Sequence, residues 1–239
     1  MSRTSLASRD PDATPSLGAR GEATRARILG AAAQLFLENG FEATSVNAIA
    51  RAGRVSAPAL YWHFESKTDI CFSFLELYMG AFADAVLGEP DQGAPDERLR
   101  QFVRTYVLAS LTDREGSTAY EKLYTFGQLS TVLDDEHRER LVTLERRVSE
   151  RLRSILRDGK AAGVFAFTDV KLAAFAIAGA CESTFHWYRP EGPLSVDQVA
   201  DEYAQMMEAL ARGGAQAPLA PARPLRATHV RRSARHSSD

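Results

Sequence analysis

The chain is expected to be all-α: a three-helix N-terminal helix-turn-helix domain followed by a second helical domain of about six helices. Three observations predict this. Apolar residues recur three and four positions apart in most segments between residues 24 and 210, the period of a helix that buries one face. Helix-start signals, a capping-box-like Ser66-Lys-Thr-Asp69 and a capping box formed by Ser195 and Gln198, stand just ahead of two of these segments. Glycines such as Gly40, Gly53, Gly163 and Gly213 close others.

Composition narrows the class. With 239 residues, 45% hydrophobic and 25% charged, the chain can build one medium unit or two small ones with a proper core. The formal net charge of −2 argues against holding nucleic acid by bulk electrostatics, so any such contact must be local. Cys71 and Cys181 lie in apolar helical patterns and read as buried packing residues in a reducing cytoplasm. The longest apolar run, residues 172–181, is too short to span a bilayer, and residues 1–21 lack the apolar core of a signal peptide. No membrane association is expected.

Taken in order, residues 1–21 have almost no large apolar side chain and are expected to be a disordered arm carrying Arg3, Arg9 and Arg20. A helix over about 24–39 sets Ile28, Ala32, Leu35 and Phe36 on one face, with Gly40 as its stop. Residues 44–64 then spell two short helices around a tight turn. Thr44 is placed to cap the first, in which Val46, Ile49 and Ala50 make the buried face, and Gly53 is expected to take the left-handed conformation in the turn. Ser56 caps the second helix, Pro58 falls in its first turn, and Ala59, Leu60 and Phe64 form its inner side. The helix over about 67–87 has two adjacent apolar stripes, so it is expected to be buried on two sides and to connect the helix-turn-helix to the later helices.

Beyond a break at 88–95, a helix over 96–112 repeats Leu99, Phe102, Val103 and Tyr106. Residues 113–117 are expected to interrupt, followed by a short helix with Tyr120, Leu123, Tyr124 and Phe126. Leu141, Leu144, Val148, Leu152 and Ile155 mark a long amphipathic helix ended by Gly159 and Gly163. A helix over about 169–187 offers the small-residue ridge Ala173, Ala176, Ala180 and Thr184. The last helix carries the seam Val196, Val199, Tyr203, Met206 and Leu210. Two such faces suit half of a four-helix dimer interface, or are filled within one subunit. Residues 213–239, rich in Pro and Ala and then in Arg (Arg223, Arg226, Arg231, Arg232, Arg235), are expected to be a disordered basic tail.

Residues 24–69 resemble the N-terminal DNA-binding domain of the TetR (tetracycline-repressor) family of bacterial transcription regulators. The residues that carry the resemblance are the entry helix TRARILGAAAQLFLENGFEATS, the core VNAIARAGRVSAPALYWHF and the exit ESKTDI, with LYWHFESK the most specific part. It implies domains at 22–66 for DNA binding and 67–212 for ligand binding and dimerisation. It also implies a homodimer, double-stranded operator DNA and a small-molecule effector as partners, and no cofactor. By this resemblance Thr44, Ser45, Tyr61, His63 and Lys67 contact phosphates, Ser56, Ala57, Pro58 and Trp62 face bases, and Arg54 serves either role. Ala57-Pro58 departs from the polar pair many relatives carry there and offers only apolar contacts, which suit a thymine methyl.

The resemblance further implies a pocket among the later helices, for which the candidates are Tyr78, Phe82, Phe102, Tyr106, Leu123, Phe126, Val148, Phe175 and Phe185. Aromatic residues at this spacing equally suit a plain core. The segment His186 to Ser195 resembles the connection before the last helix in TetR-type regulators of fatty-acid and steroid breakdown, implying an acyl-coenzyme A effector. No HExxH, GxSxG or phosphate loop is present, and the five histidines are scattered, so neither catalytic nor metal residues are assigned. Asp134 to His137 reads as a charge arrangement at a helix start. The expected function is a ligand-responsive repressor; an activator or corepressor-type regulator of the same fold, or a helical enzyme or carrier, are the alternatives.

Overall fold

A computed structural model describes residues 17–88, 90–125 and 133–213. The proposed arm is outside them up to residue 16, as are Phe126 and nearly all of the basic tail. Among the described residues the elements are α1 (Leu17–Asn39), α2 (Val46–Ala52), α3 (Ala57–Tyr61), α4 (Lys67–Leu87), α5 (Pro95–Thr112), α6 (Arg114–Tyr120) with a π turn over Glu121–Thr125, α7 (Asp135–Ala161), α8 (Val170–Glu182), α9 (Thr184–Trp187) and α10 (Val196–Ala211); no strand is formed. The all-α expectation holds.

Several element boundaries differ from the sequence reading, each for a local reason. Helix α1 begins at Leu17, inside the expected arm. Gly18 and Gly21 weaken a helix by roughly 1 kcal/mol each, but a helix nucleated downstream gains a hydrogen bond for each residue added. Ser45, not Thr44, caps α2 by accepting from the Ala48 N–H at 3.1 Å. The Thr44 hydroxyl is buried and turned back onto the end of α1, 2.8 Å from the Gly40 carbonyl and 3.2 Å from that of Leu35. In the turn it is Arg54 that takes the positive φ, at 52°, while Gly53 is right-handed at −74°. Gly53 instead sits at a close approach, where a Cβ would lie 3.2 Å from the Ile49 carbonyl oxygen and 3.5 Å from Ile28 Cα.

Further along, the expected interruption at 113–117 shrinks to Asp113. Its carboxylate accepts from the Gly116 N–H at 2.9 Å and so restarts the chain as α6. Helix α7 starts at Asp135, capped by Asp134, and runs through Gly159, which packs against the Phe165 ring; Gly163, at φ 71°, makes the turn. The helix expected over 169–187 breaks at Ser183, where two hydroxyls bond backward, Ser183 to the Ala180 carbonyl and Thr184 to that of Cys181. The Ser195–Gln198 capping box of α10 forms in both directions.

Two hydrophobic cores result, and α4 runs through both. Ile70, Cys71, Phe72, Phe74 and Leu75 join Ile28, Phe36, Ile49, Leu60 and Phe64 of the helix-turn-helix. One to three turns on, Met79, Ala83 and Val86 join α5, α7, α8 and α10. The first core does not stop at α4: Ala119 of α6, Leu123 of the π turn, Leu133 just ahead of α7 and Leu141 within α7 complete it. By its 21-residue length and a mean hydropathy of 1.6, α4 could cross a membrane, but over half of its most apolar stretch is buried in the protein, as befits a core helix. Helix α10 is clamped on α5 by Arg104, whose guanidinium meets Asp197 and Asp201 at 2.7 Å each.

Candidate functional site

The helix-turn-helix projects α3 from a braced support. Arg27 of α1 donates to the Gly53 carbonyl at 2.8 Å and Arg25 donates to Ser73 of α4 at 2.8 Å while lying over the Phe64 ring, so the turn and the end of α3 are tied to both long helices. Ser56 caps α3 through the Ala59 N–H at 3.2 Å. Leu60 and Phe64 are buried beneath it, which leaves Tyr61 at 55% and Trp62 at 89% exposure on the outside. An indole left in water by a well-packed domain has no packing role there. Ser45, Arg54, Ser56 and Pro58 are also exposed, Ala57 and His63 half so. Lys67 reaches back over the Phe41 ring and donates to the Phe41 and Glu42 carbonyls at 2.8 and 3.2 Å, which fixes its ammonium beside the loop before α2. Thr44 is the one candidate whose side chain is committed inward.

A cavity of about 750 Å³ opens among α4 to α9. Of the sequence candidates, Tyr78, Phe82, Phe102, Tyr106, Val148, Phe175 and Phe185 line it. Leu123 does not; it is buried in the first core beside Leu133 and Leu141. Phe82 meets Tyr106 edge to face at 4.8 Å, and Tyr78 lies 5.3 Å from Tyr120. The sequence reading missed the polar part of the wall: Glu121, Glu145, Arg146, Ser149, Arg153 and Glu182 among others. On α7 the signal was a second stripe, Val142, Glu145, Ser149 and Leu152, hidden in what reads as a solvated charged face.

Each carboxylate in that wall accepts from a ring-bearing neighbour. Tyr120 donates to Glu145 at 2.6 Å, Tyr106 donates to Glu182 at 3.2 Å, and a His186 ring nitrogen lies 3.0 Å from Glu121. Burial pushes the Glu145 carboxyl above its ordinary range against the pull of the Tyr120 bond. Glu182 is raised too, first by burial and then by the charges of Glu145 and Glu121. The residue is exposed overall, with one carboxyl oxygen accepting from the buried Tyr106 hydroxyl. Burial pushes Tyr78 up to about 12, with the Ser117 hydroxyl 2.7 Å away opposing. The cysteines take no part: burial raises both Cys71 and Cys181 to about 12. Among the described residues no group of His, Cys, Asp and Glu is placed to hold a metal ion.

This pairing of a braced helix-turn-helix with a hollow helical domain has counterparts in sequence. Residues 28–73 match the model of the bacterial regulatory proteins of the tetR family, and residues 92–210 match that of the tetracyclin repressor-like C-terminal domain. The chain belongs to the TetR family. It is a helix-turn-helix, DNA-binding transcription regulator. Similar TetR proteins include the HTH-type transcriptional repressor KstR2 of Rhodococcus jostii, 29% identical over 202 residues that cover 82% of this chain and 94% of the relative. PfmR of Thermus thermophilus is 34% identical, with a TM-score of 0.66 over 76% of this chain and 96% of its own. AibR, solved in complex with isovaleryl coenzyme A and operator DNA, is 26% identical, with a TM-score of 0.66 over 77% and 97%.

The seam expected between subunits is partly redrawn by the TetR fold of this chain. Ala173, Thr184 and Val199 are buried inside the chain, and Ala180, Val196 and Tyr203 are half-buried, whereas Ala176, Met206 and Leu210 are exposed. Exposed are Leu172, Phe175, Ala176 and Gly179 of α8 and Met206 and Leu210 of α10. Phe175 belongs to both features: it lines the cavity and is 60% exposed.

Proposed function

We propose that the chain is a cytoplasmic homodimeric repressor that grips a pseudo-palindromic operator through α3 and lets go when a small amphipathic effector, an acyl-coenzyme A or related lipid metabolite, enters the cavity. One observation carries this reading: α4 is built into the helix-turn-helix core at one end and supplies Tyr78, Met79 and Phe82 to the cavity wall at the other. An effector that favours one arrangement of that wall thereby favours one position of α3. If that position no longer suits successive major grooves, about 34 Å apart, operator affinity falls by the effector's differential affinity for the two states. AibR, with its isovaleryl coenzyme A, supports the effector class, and KstR2 supports repression.

The roles assigned by resemblance stand as part of this proposal. Ser45, Tyr61, His63 and Lys67 hold phosphates, as does the Thr44 backbone, and Ser56, Ala57, Pro58, Trp62 and Arg54 approach the bases. The unit division at 22–66 and 67–212 is read functionally, reader and sensor. The dimer forms through the exposed apolar face of α8 and α10, a row of Leu172, Phe175, Ala176, Met206 and Leu210 that a monomer would leave in water. Gel-shift with the intergenic DNA upstream of the chain's own gene tests the whole: a salt-sensitive complex, dissolved by an acyl-coenzyme A, is expected. Binding no tighter than to random duplex would overturn it.

A further inference from the structure

The cavity wall is not that of a simple greasy pocket. Aromatic rings supply most of it, yet Glu145 and Glu182 put two carboxylates among them. Each is held by a tyrosine hydroxyl on one oxygen, Oε1, and neither forms an ion pair among the described residues. The second oxygen of each has no protein partner there. Two arginines also line the cavity, but Arg153 is turned to Glu150 at 2.7 Å and Arg146 is exposed. Residues 126–132 include no charged side chain.

A purely apolar body filling this space would strip water from both free carboxylate oxygens and return nothing. A body bearing a donor would replace that water. We infer that the effector carries a hydrogen-bond donor, a hydroxyl or a protonated amine, on its apolar part, and that Glu145 and Glu182 receive it. The inference rests on the cavity being the effector site and names what the site selects. A site built to bond a donor discriminates strongly against the analogue that lacks one, because its own polar group is left unpaired. The raised carboxyls agree with this, since burial already disfavours their charge and a donor is what restores it.

Matched ligands test it with the unaltered protein. Decanoyl-coenzyme A, its 3-hydroxy and 10-hydroxy counterparts, and decylammonium beside decanoate are titrated by calorimetry, with release of operator DNA as a second readout. At least one donor-bearing ligand is expected to bind about tenfold or more tighter than its plain partner. That margin should shrink in Glu145→Gln or Glu182→Gln, and the hydroxyl and ammonium arms show which donor is used. Plain and donor-bearing ligands of equal affinity would overturn the inference while leaving the effector cavity in place. Decylammonium binding that depends on Glu145, with no thioester bound, would support the inference and remove the thioester reading. Binding of no ligand would overturn both.

Discussion

At the scale of single residues, the turn of the helix-turn-helix separates what folding needs from what DNA needs. Arg54 occupies a left-handed conformation at φ 52° that glycine adopts without penalty. Arg54→Gly is therefore expected to keep the melting temperature within a few degrees while weakening operator binding and lowering its salt dependence, the mark of a lost cation. Unchanged DNA affinity would remove Arg54 from the contact set. Gly159 behaves oppositely. A Cβ there would run into the Phe165 ring, so Gly159→Ala should cost about 1–3 kcal/mol, read in thermal or urea unfolding. The sequence shows both residues but misplaces their roles, taking Gly53 as the left-handed position and Gly159 as a helix stop. A glycine's φ and the atoms facing its missing Cβ are set by neighbours distant in the chain, so a helix-ending glycine and one that admits a ring look alike. The carboxyl of Glu145 adds a pH dependence. Its folded pKa lies above the unfolded one, so the fold binds that proton more tightly and loses stability as pH rises from the ordinary glutamate range through the folded value. Glu145→Gln, which can still accept from Tyr120, should raise the melting temperature at pH 7 and leave it nearly unchanged below pH 4; the reverse order would mean the carboxylate is stabilised in the fold.

At the scale of elements, legibility tracks how one-sided each helix is. Helix α1 has distinct apolar and polar faces, and Ile28, Ala32 and Phe36 read correctly as its inner side. Helix α8 is apolar nearly all round, so period alone does not say which side faces in, and the ridge of small residues is split between interior and surface. The charged face of α7 hides the opposite difficulty: a cavity lets polar side chains face inward, which no periodicity rule anticipates. The exposed face itself gives a sharp expectation. Phe175→Glu or Met206→Glu, at 60% and 54% exposure, should convert a dimer to monomers in light scattering without loss of helix content, and operator affinity should fall with it. A dimer that survives both substitutions would place the interface elsewhere.

At the scale of the whole molecule, two cores share α4 and α7, and this decides how the parts depend on each other. The fold class was legible from spacing and caps, and the reader from its motif. The sharing was not, because Leu123, Leu133 and Leu141 carry no mark that they belong with residues 28–75 rather than with their own neighbours. That same sharing sets limits on recombination. A regulator assembled by joining residues 1–88 to an unrelated sensor would leave Ile70, Phe72 and Leu75 without the partners that Ala119, Leu123, Leu133 and Leu141 provide. Such a hybrid should unfold at a lower temperature than one that also carries residues 114–141, and equal stability of the two would show the reader to be autonomous. The piece that can be inherited or exchanged as a unit is therefore discontinuous: a head, the helix beneath it, and a strip of chain from some forty residues further on.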